Sequence, residues 1–186
     1  MHKFVVSIFG ADRPGILAAV AKAVSQKGCN IENVSQTLLQ DVFGGLLVIS
    51  APDGAKPQDL EDALRADCAE LNLFLHVAAP VSHETDAPKE KTSPYIVTAM
   101  GPDRQGIVAD VSACLAAHGV NITNMQAIFK GGKKPLDNLM IFEVDVPVAT
   151  QMETLRRGLQ EVSTKLHLEI NLQHRKIFEA VSSIDN

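Results

Sequence analysis

The chain has 186 residues, of which 46% are hydrophobic and 21% charged, and its net charge is −5. This is the composition of an ordinary globular protein, and the acidic balance with only 4% aromatic residues argues against a nucleic-acid surface of clustered Lys and Arg or of stacking rings. No run approaches the ~20 apolar residues of a membrane helix, and the first apolar run is too short for a signal peptide.

The first predicted elements are a strand over 3–9 and a helix over 14–27. The strand, KFVVSIF, is rich in β-branched and aromatic residues. The helix has an apolar face in Ile16, Val20 and Ala23, with Pro14 in its first turn and Gly28 at its C-terminal cap. The pattern therefore predicts a strand followed directly by an amphipathic helix.

Two further strands, over 29–40 and 45–51, are separated by turn residues at Asp41 and Gly44–Gly45. A second helix over 57–70 turns Leu60, Ala63 and Leu64 inward, and a last strand over 71–78 alternates apolar with other residues. The order of elements is βαββαβ, which is typical of the ferredoxin-like fold.

The chain then repeats itself. Gly-x-Asp-Arg-x-Gly-Ile stands at 10–16 and again at 101–107, an offset of 91 residues. From 52 onward the offset is 95, as in Pro52 and Pro147, so the second copy has four extra residues near 130–137, where Gly, Pro and Lys predict a hairpin loop. The ungapped identities of the first block are Val6, Gly10, Asp12, Arg13, Gly15, Ile16, Ala18, Val20, Gly28, Asn30, Ile31 and Asn33 with the residues 91 positions later.

The duplication predicts an α+β protein of two ferredoxin-like βαββαβ domains, each a four-stranded antiparallel sheet with two helices on one face. We place the first domain at 1–80, a polar linker at 81–92, the second domain at 93–175 and a C-terminal tail at 176–186. In the first strand of each copy, the side chains that point to either face of the sheet are largely apolar. We therefore expect the outer sheet surface or the sheet edges to be buried against the sister domain or another chain.

The repeated loop leaves the first strand and enters the first helix, which places Gly15 and Gly106 in the first helical turn. Glycine there permits close approach of a ligand or simply of the neighbouring strand. The helix N-terminus can hold a carboxylate, while Asp12 and Asp103 either cap the helix or hold an ammonium group. Arg13 and its copy are solvated, paired with Asp or bound to ligand, and Asn30 with its copy shapes a turn or contacts a ligand in a neighbouring domain.

The doubled G-x-D-R-x-G-I, with G-x-N-I at the start of the second strand, resembles the ACT domain, and the two copies resemble the glycine cleavage system transcriptional repressor family. The resemblance implies domains paired side by side through their sheets, with a small ligand, usually an amino acid such as glycine or serine, at their interface. The ligand contacts that it implies are Gly10, Asp12, Arg13, Pro14, Gly15, Ile16 and Asn30, and in the second copy Gly101, Asp103, Arg104, Gly106, Ile107 and Asn121.

The resemblance also implies a cytoplasmic regulator that acts through a partner protein, either a transcription factor or an enzyme. It implies no cofactor, no direct nucleic-acid contact, no membrane attachment and assembly into a homo-oligomer. Serine-sensing relatives carry Asn where Asp12 and Asp103 stand, and Gln105 replaces the Pro found at position 14. These differences leave the ligand, and the copy that binds it, open.

Three other functions compete with amino-acid sensing. Acylphosphatases share the fold and use an Arg with an Asn against phosphate, which Arg13 and Asn30 could imitate. RNA binding needs aromatics on the central strands, and Phe142 is a poor basis for it. A pure protein–protein module is the third. No catalytic residue and no metal site is predicted, because the six histidines are scattered and the cysteines Cys29, Cys68 and Cys114 suggest small buried thiols.

Overall fold

The computed structural model describes residues 2–79, 91–129 and 138–177, and the chain divides into two compact units between residues 85 and 86. The first unit consists of β1 (His2–Ala11), α1 (Ile16–Gln26), β2 (Asn30–Leu39), β3 (Val42–Ala51), α2 (Pro57–Asp67), a 3₁₀ turn (Ala69–Leu71) and β4 (Phe74–Ala78). The second consists of β5 (Thr92–Gly101), α3 (Ile107–Ala117), β6 (Asn121–Phe129), β7 (Asn138–Pro147), α4 (Met152–Leu166) and β8 (Glu169–His174).

Each unit has one four-stranded antiparallel sheet, with strand order β2-β3-β1-β4 in the first and β6-β7-β5-β8 in the second. The first strand of each copy therefore lies in the interior of its sheet and the second and fourth strands form the edges. This is the predicted βαββαβ arrangement, so the α+β fold class of two ferredoxin-like domains is confirmed.

The core of each unit lies between the helices and one face of the sheet. In the first unit, Ile16, Val20 and Ala23 of α1 are buried, as their spacing predicts, and they pack with alternate residues of β1 and β3. In the second unit the largest fully buried side chain is Phe142 on β7. Phe142 therefore faces the core and cannot stack on a nucleotide base.

The predicted turn between β2 and β3 is misplaced. The chain reverses at Gln40 and Asp41, where Gln40 has a φ of 54°, and β3 already begins at Val42. Gly44 and Gly45 lie inside β3, paired with Phe9 and Ile8 of β1. A two-residue turn needs little glycine when one non-glycine residue adopts the left-handed conformation, so glycine alone was a misleading marker here.

The predicted second helix and last strand also shift. The α-helix ends at Asp67, three residues early, because the chain tightens into the 3₁₀ turn. The last strand begins at Phe74 because Asn72 has a φ of 48°, which breaks the extended run predicted from 71. Leu75 and Val77 are buried and His76 is exposed, in the predicted alternation.

Three predictions lie wholly or mostly outside the described residues. They are the linker at 81–92, of which only the last two residues are described, the hairpin loop at 130–137, and the tail beyond residue 177. Among the residues that the structure describes, no helix is long and apolar enough to cross a membrane.

The sheet face of the first unit that points away from its helices carries exposed apolar side chains. Phe9 is 50% exposed, and both Leu46 and Phe74 are 54% exposed. The Phe9 and Phe74 rings stack with their centroids 4.5 Å apart. The surface beside them has a shallow depression of about 330 Å³, in which Gly44 leaves space between Thr37 and Leu46.

Candidate ligand site at the two strand-to-helix loops

Each helix of the repeated loop begins one residue after its glycine. Gly15, with a φ of 97°, and Gly106, with a φ of 94°, are the N-caps of α1 and α3, so the prediction that they lie in the first helical turn is wrong. A Cβ at either position would meet nothing within 4 Å. Glycine is required by the left-handed backbone conformation, and not by close packing against a strand.

A different glycine of the motif provides close packing. A Cβ on Gly10 would stand 2.7 Å from Leu73 Cδ2, and a Cβ on Gly101 would collide with Leu168 Cδ2. The residue before the fourth strand therefore crosses directly over the end of the first strand in both copies. The two glycines of the motif thus have separate roles: Gly10 and Gly101 fix the packing at the strand end, and Gly15 and Gly106 set the direction of the helix.

The carboxylates of Asp12 and Asp103 stand on exposed residues of the loops, and no side-chain hydrogen bond caps either helix. Asp12 is fixed through its backbone, since its N–H donates to the Asp41 carbonyl at 2.8 Å. No hydrogen bond joins the Asp12 carboxylate to the start of α1, so the capping role that the sequence left open is not observed for Asp12. The first loop is instead tied to the β2–β3 turn.

The arginine of the first loop has a structural partner. The Arg13 guanidinium donates from Nη2 to the Glu70 carbonyl at 3.1 Å, which ties the loop to the 3₁₀ turn. Arg104 is exposed, as are Pro14 and Gln105, whereas Ile16 and Ile107 are 2% and 3% exposed and anchor their helices in the core. Of these residues, the exposed ones remain accessible to a ligand.

The asparagines of G-x-N-I lie at the opposite end of the sheet from the loops. Asn30 of β2 pairs with Ser50 of β3, which pairs in turn with Lys3 of β1. Gly10, at the other end of β1, pairs with Phe43 of β3. Lys3 and Gly10 are seven residues apart along β1, which corresponds to roughly 24 Å. Asn121 stands in the same relation to Gly101, because it is level with Asp145 and Pro94.

The distance between the loop and the asparagine within one unit argues against an acylphosphatase-like site. A phosphate group spans only a few ångströms, so Arg13 and Asn30 of one unit cannot hold the same phosphate. The remaining predicted contacts of each copy are grouped at one loop, and Asn30 or Asn121 can join such a group only from another domain. Among the described residues, no group of three or more His, Cys, Asp or Glu side chains is arranged to hold a metal ion.

One polar residue beside the second loop was missed from the sequence. Asn138 is only 4% exposed and its Nδ2 donates to the carbonyl of Gly101 at 3.4 Å. At the offset of 95 it corresponds to Phe43, which is buried in the first core. The replacement of Phe43 by Asn138 between the copies was the sequence difference from which this residue could have been identified. It places a buried amide beneath the second loop that the first loop lacks.

The electrostatic surroundings of the two helix starts also differ. The first turn of α1 has no acidic residue, whereas the first turn of α3 contains Asp110, which pairs with Lys165 at 2.9 Å. The positive end of the α1 dipole is therefore not offset by a carboxylate in its own first turn.

The three cysteines are free, and burial raises the pKa of all three thiols. A raised thiol pKa means little thiolate at neutral pH, so none has the character of a nucleophile. Cys29 and Cys68 are buried, as predicted, and Cys114 is half-buried.

The comparisons with known proteins agree with the fold. The ACT domain model matches residues 2–78 and 93–173. Over 84 residues the chain is 41% identical to a UPF0237 protein of Methanopyrus kandleri, covering 45% of this chain and 90% of that protein. Over 124 residues it is 27% identical to the glycine cleavage system transcriptional repressor of Escherichia coli (strain K12), covering 67% of this chain and 63% of the repressor.

Among solved structures, a protein of unknown function from Galdieria sulphuraria superposes with a TM-score of 0.73 at 23% identity, over 93% of this chain and 98% of that one. At that identity the likeness shows the fold alone. The two matched segments of the ACT model, by contrast, span most of the sequence and include both repeated loops. The chain therefore belongs to the ACT domain family, of which it carries two copies.

Proposed function

We propose that this protein is a non-catalytic regulator that binds a small amino acid, such as glycine or serine, and passes the signal to a partner protein. The ACT membership of both copies and the similarity to a glycine cleavage system repressor support this role. We assign the two binding domains to 1–80 and 93–175, and the site residues to the two loops with Asn30 and Asn121.

The observation that carries the proposal is the start of α1. Gly15 turns the chain so that the helix begins without a side-chain cap, and the exposed Asp12 stands next to it in the loop. An uncapped helix start with no acidic residue in its first turn attracts a carboxylate. The negatively charged Asp12 side chain, in contrast, attracts the ammonium group of a ligand. A free amino acid carries both groups on one carbon.

The position of Asn30 supports assembly as part of the same proposal. Asn30 lies at the start of an edge strand, at the far end of the sheet from its own loop. If two domains pair antiparallel through these edges, the start of the second strand of one domain comes beside the end of the second strand of the other, and so nearer to its loop. We propose that a complete site uses the loop of one ACT domain and the asparagine of another.

The partner in this account is a transcription factor or an enzyme, and the protein works in the cytoplasm. Direct DNA binding is not proposed, because the net charge is −5 and a specific DNA surface needs clustered cations.

A thermal-shift screen over the amino acids tests the proposal. A ligand present at 100 times its Kd stabilises the folded state by ~2.7 kcal/mol, which raises Tm by about 5 to 10 °C for a chain of this size that unfolds as one unit. The shift should be lost in Asp12→Ala or Asp103→Ala. The control is Asp62→Ala, which removes an exposed carboxylate from the middle of α2. A screen without a shift for any amino acid would contradict ligand sensing.

A pure protein–protein module is the second candidate, and the exposed apolar face of the first sheet favours it. Phe9, Leu46 and Phe74 present a contiguous apolar surface of the kind that marks a docking site. A pure protein–protein module predicts that no amino acid raises Tm and that Phe9→Ser loses partner binding. Amino-acid sensing predicts instead that an amino acid raises Tm and that Phe9→Ser retains part of this rise.

A further inference from the structure

One glycine inside β3 is not explained by the fold. The φ of Gly44 lies outside the left-handed region, so its backbone conformation is open to any residue. A Cβ there would stand 3.5 Å from Thr37 Cγ2, which is an ordinary van der Waals contact. The register of β3 with both neighbouring strands is regular at this point, so Gly44 does not mark a bulge. Glycine weakens a strand interior, and it often marks a place where another molecule approaches the backbone closely.

Gly44 lies in a row of paired residues that crosses the whole sheet on the face away from the helices. The row consists of Thr37 on β2, Gly44 on β3, Phe9 on β1 and Phe74 on β4. Neighbouring strands lie ~4.8 Å apart, so the missing side chain leaves a slot about 9.6 Å wide between the Thr37 and Phe9 strands. Leu46, two residues further along β3, lines one end of this slot.

The aromatic rings of the row set the orientation of the slot. The Phe9 and Phe74 rings stack with their centroids 4.5 Å apart and their planes 24° from parallel. Phe74 covers one face of the Phe9 ring, and the strand that carries Gly44 lies on the other side. No atom of Phe9 lies within 4 Å of the Cβ position of Gly44, so Phe9 does not cover the glycine. A third ring above Gly44 would therefore continue the stack at the separation that aromatic pairs prefer.

The second copy fills the same position. At the offset of 95 residues, Gly44 corresponds to Leu139 and Phe74 corresponds to Glu169. Leu139 pairs with Met100, which is not aromatic. The equivalent row of the second sheet has neither the slot nor the stacked rings, so the fold itself does not require them.

The surroundings of the slot suit an uncharged ring. The depression of about 330 Å³ is lined by Phe9 and Leu46 and by the hydroxyl residues Ser7, Ser35 and Thr37, and none of its described lining residues is charged. Phe9 and Leu46 are about half exposed. Sites for small molecules bury about 70–90% of the ligand, which this shallow depression cannot do. A side chain held by a partner protein fits better, because the residues around it cover the rest of the apolar face.

We propose that the outer face of the first sheet binds the partner protein, and that an aromatic side chain of the partner stacks on Phe9 in the slot above Gly44. The role of that protein as the target of the signal rests on the proposed function. The slot itself depends only on the row of residues across the first sheet, and it contains no charged group for a carboxylate or an ammonium group.

Titration of the ¹⁵N-labelled full chain with N-acetyltyrosinamide tests the slot. This probe carries an uncharged aromatic side chain and lacks the carboxylate and ammonium groups of a free amino acid. N-acetylleucinamide is the matched apolar probe without a ring, and p-cresol is the tyrosine ring without a peptide backbone. Gly44→Leu places the residue of the second copy in the slot. The control variant Val48→Leu enlarges an aliphatic side chain four residues along the same face of β3.

We expect saturable amide shifts at Phe9, Gly44 and Leu46 with N-acetyltyrosinamide, and binding of N-acetylleucinamide that is about threefold weaker or more. Gly44→Leu should raise the dissociation constant of N-acetyltyrosinamide about tenfold or more, while Val48→Leu leaves it within about threefold. Gly44→Leu should fold normally, because a Cβ at this position meets only ordinary contacts. An unchanged urea midpoint checks this.

Equal affinity of the wild-type chain and Gly44→Leu, equal affinity for the two capped probes, or the absence of shifts at the slot would overturn the proposal. Tighter binding of p-cresol than of N-acetyltyrosinamide would mean that the slot excludes a peptide backbone, which would overturn the role of a partner protein. None of these results would decide amino-acid sensing, because the probes lack the groups that the helix starts are proposed to bind.

Discussion

Two glycines of one motif have different physical roles, although the sequence presents them alike. Gly15 adopts a left-handed conformation in open space, while Gly10 leaves room for Leu73. The motif correctly located the strand-to-helix corner, because glycine, proline and aspartate there have strong local preferences. The separate roles could not be read from it, since one depends on a backbone angle and the other on a residue that is distant in sequence.

Substitution at the helix start should be costly even though it creates no clash. We expect Gly15→Ala to lower the free energy of unfolding by ~1–2 kcal/mol, because an L-residue at a φ of 97° is strained. Urea unfolding measures the change. The control is Gly44→Ala in β3, where a Cβ meets only ordinary contacts and φ is not in the left-handed region. Equal effects of the two variants would contradict the assigned role.

Close packing at the strand end predicts a different response for Gly10. Gly10→Ala should destabilise the chain by ~1–3 kcal/mol, because the new methyl group would displace Leu73. The double variant Gly10→Ala with Leu73→Ala should recover part of that loss, and Gly15→Ala with Leu73→Ala should recover nothing. Urea unfolding of the single and double variants measures whether Leu73→Ala restores stability to Gly10→Ala and not to Gly15→Ala.

At the scale of elements, a carboxylate joins α2 to β4. Glu61 is only 8% exposed and was not identified from the sequence, because the helical pattern pointed to Leu60, Ala63 and Leu64. Its bond with the Val77 N–H is the largest cause that lowers the pKa of the Glu61 carboxyl. Burial opposes this effect, His76 and Arg65 lower the pKa further, and the net shift is downward. Periodicity identifies which side of a helix faces the core, but it cannot identify a charged residue that satisfies a strand edge.

We expect Glu61→Gln to lower stability at pH 7 by about 1–3 kcal/mol, since the variant loses a charged acceptor. A carboxyl whose pKa is lowered on folding stabilises the folded state above its unfolded pKa of about 4.3, and this contribution disappears as the pH falls through the lower folded value. The difference between wild type and variant should therefore shrink below about pH 4. Asp62→Asn, at an exposed neighbour, should lower stability at pH 7 by less than Glu61→Gln does.

At the scale of the whole molecule, the duplication and the fold class predicted from the sequence are confirmed, whereas the site residues stay a prediction. The repeat made this possible, because offsets of 91 and then 95 residues compare every element with its own copy. The repeat could not show how the copies diverge in space. The contact of Asn138 with the Gly101 carbonyl beneath the second loop could be identified only once the strands were placed.

The divergence predicts that the two loops contribute unequally to ligand binding. Pro14 and Phe43 of the first copy are replaced by Gln105 and Asn138 in the second, so the loops differ in stiffness and support. We expect Asp12→Ala and Asp103→Ala to change the amino-acid affinity by different factors in calorimetric titrations. Equal losses in the two variants would indicate equivalent sites.

The central claim is that a small amino acid binds at the start of the helices, with an asparagine from another domain. Titration of the ¹⁵N-labelled chain with glycine and with serine, followed by amide chemical shifts, tests this most directly. The account predicts the largest shifts at Gly15 and Ile16 or at Gly106 and Ile107, accompanied by Asn30 or Asn121, although these groups lie at opposite ends of one sheet. Shifts confined to other surfaces, or no shifts with any amino acid, would contradict it.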